Sequence, residues 1–185
     1  YNNRPVKIAG SHAGISVGPD GGTHQAIEDI AITRVLPRMI VLSPCDSIEA
    51  KKATLASVDT DTPVYIRLAR EKTPVMTTLK TPYEIGRAQT FWTSKKARVG
   101  IIATGALLYK ALLAARELEK DGIEAEVMNL STIKPLDENA ILALARKTGR
   151  IVTVEEHQII GGMGSAVAEC LAKKYPVPME FIGIN

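Results

Sequence analysis

The sequence predicts an α/β protein of two consecutive domains, each built around a parallel sheet. Three observations lead there. Short apolar runs of strand length alternate with amphipathic runs of helical period from Val6 to Ile184, the pattern of parallel strands joined by helical crossovers. That alternation breaks once, over residues 71–97, where Lys72 to Pro74, Thr77 to Lys80 and Thr81 with Pro82 interrupt any period. A length of 185 residues, with 45% apolar and 23% charged side chains, suffices for one large or two small cores. The predicted division is a first domain over residues 1–75, a linker over 76–97 and a second domain over 98–185. A single domain carrying a long surface excursion is the alternative.

In the first domain, Val6 to Ala9 is a short strand running into a glycine-rich loop. A helix is expected from Thr23 to about Leu36: Ile27, Ile30, Ala31 and Val35 form a stripe at helical spacing, Thr23 can serve as N-cap and Pro37 stops it. Met39 to Leu42 reads as a buried strand bounded by Ser43 and Pro44. Asp46 with Glu49 resembles a capping box opening a helix to about Val58, and Val64 to Leu68 is the next strand. A weak strand around Gln89 to Trp92 leads into the second domain. There Val99 to Ala103, Glu124 to Leu130, Arg150 to Val154 and Phe181 to Ile184 are strands. Between them, Gly105 to Asp121 is a helix with Leu108, Ala111, Leu112, Ala115 and Leu118 on one face, ended by Gly122. Asp137 opens a second helix carrying Ile141, Leu144 and Ala145, ended by Gly149, and GGMGSAVAECLAKKY turns into a third.

Composition excludes several classes. The 23 Lys and Arg against 20 Asp and Glu, a formal +3, are scattered or sit in short pairs, so no nucleic-acid partner is expected. Cys45 and Cys170 lie far apart, without CxxC spacing or partners for a zinc site, and a reduced, cytoplasmic setting is expected. The longest apolar runs are of strand length and no charged-then-apolar leader opens the chain, so neither a membrane span nor a signal peptide is expected. The chain opens on Tyr1 shortly before a strand and stops at Asn185 directly after one, which reads as a fragment.

The densest candidate site is Gly10 to Gln25, GSHAGISVGPDGGTHQ, with five glycines and two of the chain's three histidines. Such a loop can wrap a ligand while His12, Asp20 and His24 project from fixed points. Alternatively, those polar side chains simply brace a glycine turn. A helix opening at Thr23 would put His24 in its first turn, at the positive end of the dipole, where a neutral imidazole could donate to a substrate oxygen. Arg70 stands at the carboxyl edge of a strand, where ligands of open α/β sheets bind. Arg67, on the opposite face, is expected to be structural. VEEHQIIGGMGSAV makes a poor dinucleotide fingerprint, since Val167 stands where a third glycine should be. A packing or subunit-interface role suits it better, and both cysteines read as small buried residues.

GSHAGISVGPDGGTHQAIEDIA resembles the active-site loop in the pyrimidine-binding domain of transketolases, thiamine-diphosphate enzymes that move two-carbon units between sugar phosphates. The spacing of His12, Asp20 and His24 carries the resemblance. IVLSPCDSIEA (40–50), PVYIRLARE (63–71), IIATG (101–105), STIKPLD (131–137) and VEEHQIIGGMGSAV (154–167) are similar to family blocks in family order, so it covers essentially the whole chain. It implies the latter part of a pyrimidine-binding domain followed by a C-terminally truncated transketolase C-terminal domain.

By that resemblance His24 contacts reacting sugar oxygens and the cofactor's aminopyrimidine side. Asp20 recognises a substrate hydroxyl, His12 holds the substrate further along, and Arg70 binds its phosphate. The cofactors implied are thiamine diphosphate and Mg2+, with the diphosphate and metal site outside this chain, as are the activating glutamate and the ring-stacking aromatic residue. The implied partners are sugar phosphates, a second copy in a homodimer and, in a two-chain enzyme, a separate N-terminal cofactor-binding subunit. Deoxyxylulose-phosphate synthase shares a DGxTHQ loop, but SHAG with His12 and the IRLARE strand favour transketolase. A pyruvate-dehydrogenase-type β subunit is a weaker match. A catalytically silent dimerisation or regulatory module is the rival from another class.

Overall fold

A computed structural model describes residues 4–185, so the first three residues of the expected 1–75 domain lie outside it. The first sheet is assembled from β1 (Lys7–Ala13), β2 (Ile40–Leu42) and β3 (Val64–Ala69), with β3 in the middle and parallel to both. β1 runs four residues beyond the expected Ala9. The extension escapes a hydropathy reading because Gly10, Ser11 and His12 are not strand formers and the register with β3 slips between Gly10 and Ala13. Gly10 is required sterically, since a Cβ there would meet the Tyr65 ring at 2.1–2.6 Å.

The expected helix from Thr23 to Leu36 is corrected. Gly22–His24 is a single 3-10 turn, Gln25 is extended, and α1 spans only Asp29–Arg34. The cause is backbone pairing: Gly14 N donates to Ala26 O at 2.7 Å and Ala26 N to Gly14 O at 3.3 Å, which takes Ala26 out of any helix. Thr23 therefore caps nothing, and Val35, assigned to the inward stripe, is 73% exposed.

α2 (Ser47–Val58) is capped as expected, Asp46 accepting from Glu49 N at 2.8 Å. The reciprocal half of the box is displaced by one residue. Glu49 accepts from Cys45 N at 2.6 Å and from Asn129 Nδ2 at 2.8 Å. Asp46 also receives Met76 N, Thr77 N and Thr77 Oγ1 at 2.6–2.8 Å, which ties the irregular stretch after β3 to the start of α2. Burial opposes ionisation of Asp46, but these hydrogen bonds together hold its carboxyl below the usual range.

The second sheet has the order β4 (Gln89–Trp92), β6 (Ala125–Asn129), β5 (Val99–Ala103), β8 (Ile151–Gln158) and β9 (Met179–Ile184). It is parallel except for β4, which runs antiparallel to β6. α3 (Leu108–Lys120), α4 (Glu138–Thr148) and α5 (Met163–Lys174) complete the domain, α3 being preceded by a 3-10 turn at Gly105–Leu107. Asp137 caps α4 by accepting from Ala140 N, and Gly149 ends it, both as expected.

β7 (Thr132–Lys134) has no counterpart among the expected elements. It follows β6 directly but pairs antiparallel with β2, so it completes the first sheet, β1-β3-β2-β7. The largest apolar cluster likewise crosses between the halves, joining Ile30, Val41 and Tyr65 to Leu130, Ile133 and Met163. Each fully buried side chain of this kind contributes roughly 1.5–3 kcal/mol, so the halves share their main source of stability.

Candidate active site

β1, β2 and β3 run parallel, and their carboxyl ends open on one edge, the usual location of ligand sites in such sheets. A cleft of about 480 Å³ lies there, with Ser43, Arg67, Arg70, Gly105 and Glu156 among its walls. The glycine loop rises beside it. The loop's base is the Gly14–Ala26 backbone pair, and Val17 is buried beneath it. Gly14 has φ +88°, and a Cβ on it would stand 2.5 Å from the carboxyl carbon of Glu156, so only glycine suits both conformation and contact. Glu156 Oε1 accepts from Ile15 N at 2.8 Å and from Ser16 N at 2.6 Å.

Near the loop's tip, Arg70 Nε meets Asp20 Oδ2 at 2.8 Å, both side chains being 31% exposed. Arg70 Nη1 donates to Glu71 Oε1 at 3.0 Å. Two residues expected to meet a substrate at different points therefore touch one another. The pair fixes Nε of the guanidinium, and Nη2 makes no hydrogen bond to any described residue.

His24 closes the 3-10 turn instead of opening a helix, so a helix dipole has no hold on it. It is exposed, with Nδ1 3.0 Å from Thr23 Oγ1, which leaves Nε2 open. His12 is also exposed, with φ +61°, and its Nδ1 lies 3.1 Å from Ser11 Oγ. Both imidazoles hydrogen-bond only to sequence neighbours among the described residues. The structure joins Asp20 to Arg70, and links neither His12, near the end of β1, nor His24, on the loop that follows, to that pair.

Beneath the loop lies a buried polar scaffold. Tyr65 OH and Arg67 Nε both donate to Asp29 Oδ2 at 2.8 Å, and Arg67 Nη2 donates to the Glu156 carbonyl at 2.8 Å. Burial, then the Asp29 charge, push the Tyr65 phenol up, so it remains a donor. These buried bonds make Arg67 structural, as expected, although it borders the same cleft as Arg70. His157 is fully buried. Its Nε2 accepts from Ile30 N at 3.2 Å and its Nδ1 contacts Gln158 O at 2.7 Å, which puts the ring proton on Nδ1. Glu155 accepts from Met163 N and Gly164 N at the start of α5; burial pushes its carboxyl up against those bonds.

The packing reading of Glu155–His157 therefore holds, but the support that Glu156 gives the loop has no counterpart among the expectations. The available signal is three polar residues in a row, Glu155, Glu156 and His157, directly after an apolar strand. Cys45 and Cys170 are free and buried, and burial is the main cause pushing both thiols up. Among the described residues no group of three or more His, Cys, Asp or Glu could hold a metal ion. No helix there is long and apolar enough to cross a membrane.

Known proteins share this fold and much of this sequence. The family profile for the transketolase pyrimidine binding domain matches residues 1–76, and that for the transketolase C-terminal domain matches residues 90–184. The chain is 42% identical over 185 residues to the 6-deoxy-6-sulfo-D-fructose transketolase subunit SqwH of Clostridium sp. strain MSTE9, covering 100% of this chain and 57% of that protein. It is 40% identical over 185 residues to one subunit of the apulose-4-phosphate transketolase of Phocaeicola vulgatus, covering 100% of this chain and 58% of the relative. A solved structure described as a split gene transketolase, inactive beta4 tetramer, matches with TM-score 0.89 and 43% identity, over 97% of this chain and 57% of that one. The chain thus spans little more than half the length of these relatives. Two consecutive profile matches, together covering most of the sequence, leave one assignment: the chain belongs to the transketolase family.

Proposed function

We propose that the complete protein is a transketolase, transferring a two-carbon ketol unit from a ketose phosphate to an aldose phosphate, and that this chain supplies the sugar-phosphate side of the site. The observation that carries the reading is the Asp20–Arg70 pair at 2.8 Å. Asp20, on the loop that also carries His24, would accept a sugar hydroxyl, and Arg70, directly after β3, would take the phosphate beside it. Two relatives are named for a sulfonated and a phosphorylated sugar, and an anionic group on the sugar is what Arg70 would bind, Nη2 being available.

His24 then donates from or accepts at Nε2 against an oxygen of the reacting carbons, Thr23 steadying Nδ1. Asp20 accepts a sugar hydroxyl, and His12 contacts the substrate nearer its anionic end. Thiamine diphosphate, bound with Mg2+, supplies the carbanion stabilisation. His24, exposed and open at Nε2, would contact its aminopyrimidine side; ligands for the metal and diphosphate would come from elsewhere in the protein or from a separate chain. The proposed setting is cytoplasmic, with a homodimer or a two-chain assembly as the working form.

The test is a transfer assay on the complete protein, with its cofactor-binding section if that is a separate chain, plus thiamine diphosphate, Mg2+, a ketose phosphate and an aldose phosphate. Formation of the chain-extended ketose is expected. Decarboxylation of pyruvate without ketol transfer would move the assignment to the synthase or dehydrogenase type. A folded assembly with neither activity would make the protein a silent module.

A further inference from the structure

We propose that Glu156 is a positioning residue for the substrate loop: its carboxylate, delivered by the second domain, holds the backbone at Ile15 and Ser16 and so sets where Asp20 and His24 stand. This rests on reading Gly10 to Gln25 as the substrate loop.

The contact is built from both sides. Two consecutive amides, Ile15 N and Ser16 N, converge on one oxygen, Oε1, at 2.8 and 2.6 Å. Convergence requires the backbone to curl immediately before them, and Gly14 does so at φ +88°. The same glycine makes room for the carboxylate, which a Cβ would strike at 2.5 Å. On the other side Glu156 is 8% exposed and lies in β8, in the stretch between Val154 and Gln158 where the register with β9 shifts. Its carbonyl takes Arg67 Nη2, and its neighbours Glu155 and His157 are tied to α5 and α1. A side chain so rooted can hold a loop still.

The loop has few other fixtures. Its internal bonds, Gly21 N to Gly18 O, His24 N to Gly21 O and Gln25 N to Gly22 O, are local turns that shape it without orienting it. Orientation comes from the Gly14–Ala26 closure, buried Val17, the Asp20–Arg70 pair and Glu156. Satisfying the two amides does not by itself require a carboxylate. Ile15 and Ser16 are exposed residues where water could bond, whereas a buried carboxylate carries a desolvation cost. What the carboxylate contributes and water cannot is a fixed direction.

Because both amides use Oε1, the carbonyl of a glutamine can replace it, whereas alanine removes the contact. In the complete enzyme, Glu156→Ala should lower kcat/KM for the sugar phosphates by ~10–100-fold, the loss of a hydrogen bond to a charged group. The cofactor's apparent affinity should be unchanged, and Glu156→Gln should stay within about threefold of wild type. Amide hydrogen exchange at Ile15 and Ser16 should speed up about tenfold or more in the alanine variant and not in the glutamine variant. If Glu156→Ala does not fold, Gly14→Ala intrudes on the contact from the loop side and should speed the same two amides. Glutamine failing as badly as alanine, or alanine (or Gly14→Ala in its place) leaving exchange at the wild-type rate, would overturn the proposal. Failure of the wild-type protein to transfer ketol units would instead overturn the function reading, and the exchange measurement would still decide the clamp.

Discussion

Histidine serves opposite purposes in two regions of this molecule. At the end of β1 and on the glycine loop after it, His12 and His24 are exposed and, among the described residues, hydrogen-bond only to Ser11 and Thr23. On β8, His157 is fully buried with both ring nitrogens engaged. Residue type does not separate the roles; the surroundings do. A side chain available for chemistry must leave bonding capacity unused, and something else must then hold its backbone. Here the second region holds the first: Gln158 N donates to Ile27 O at 3.0 Å, and Glu156 and His157 take amides on either side of the loop's return.

The largest effect expected tests the exposed side of that contrast. In the complete enzyme His24→Ala should lower kcat and kcat/KM together by a factor on the order of 10² or more, the usual range for lost proton or charge stabilisation. Thermal stability should be preserved. A loss confined to KM would show that His24 only binds.

Arg70→Ala sharpens the picture by dividing substrates. Binding of phosphorylated sugars should weaken by ~1.5–3 kcal/mol, as for a hydrogen bond to a charged group. Turnover of a non-phosphorylated donor such as hydroxypyruvate should be nearly unchanged. Equal losses for both would mean that Arg70, through Asp20, organises the loop and does not read the anion.

His157→Ala tests the buried side. Leaving the amides of Ile30 and Ala31 without their acceptor should cost ~1–3 kcal/mol in denaturant unfolding, with activity per folded molecule largely kept. If activity falls while stability does not, the division between the two histidine regions is wrong.

The smallest effect concerns pH, at the junction of α2 and the stretch after β3. The carboxyl of Asp46 is held low in the folded protein, so its stabilisation is complete above the ordinary carboxylate range and lost as pH falls through the folded value. Asp46→Asn should therefore cost ~0.5–2 kcal/mol at neutral pH, as for a lost N-cap. In thermal melts the gap to wild type should close toward acid pH. Glu155 acts in the opposite sense: its raised value means that stability falls as pH rises from the unfolded carboxylate value through the folded one.

Much of this is legible in the sequence. Strands at 64–68, 89–92 and 99–103 and the caps at Asp46, Asp137 and Gly149 follow from apolar runs and local side-chain chemistry, and the structure has them in place. What fails depends on partners distant in sequence. The helix from Thr23 is lost to the Gly14–Ala26 pair, and the far end of β1 is hidden by a bulge. In β8, Glu155 to His157 break the apolar pattern, because partners on α5, the loop and α1 satisfy their polar atoms. At the site, the residue types on one loop can be read locally, whereas the meeting of Asp20 with Arg70 and the reach of Glu156 across 140 positions in sequence cannot.

β7 has a bearing on how the molecule comes into being. β2 keeps an open edge until Thr132–Lys134 arrives to cover it, so during synthesis the first sheet must wait until the chain has been made through Lys134, well into the second domain. Until then it presents unpaired backbone, the kind of edge that invites pairing with another chain. Neither half is then a separate folding unit. The chain should collapse and unfold in one cooperative step, and severing it between residues 97 and 98 should leave a first half that aggregates unless the second is supplied with it.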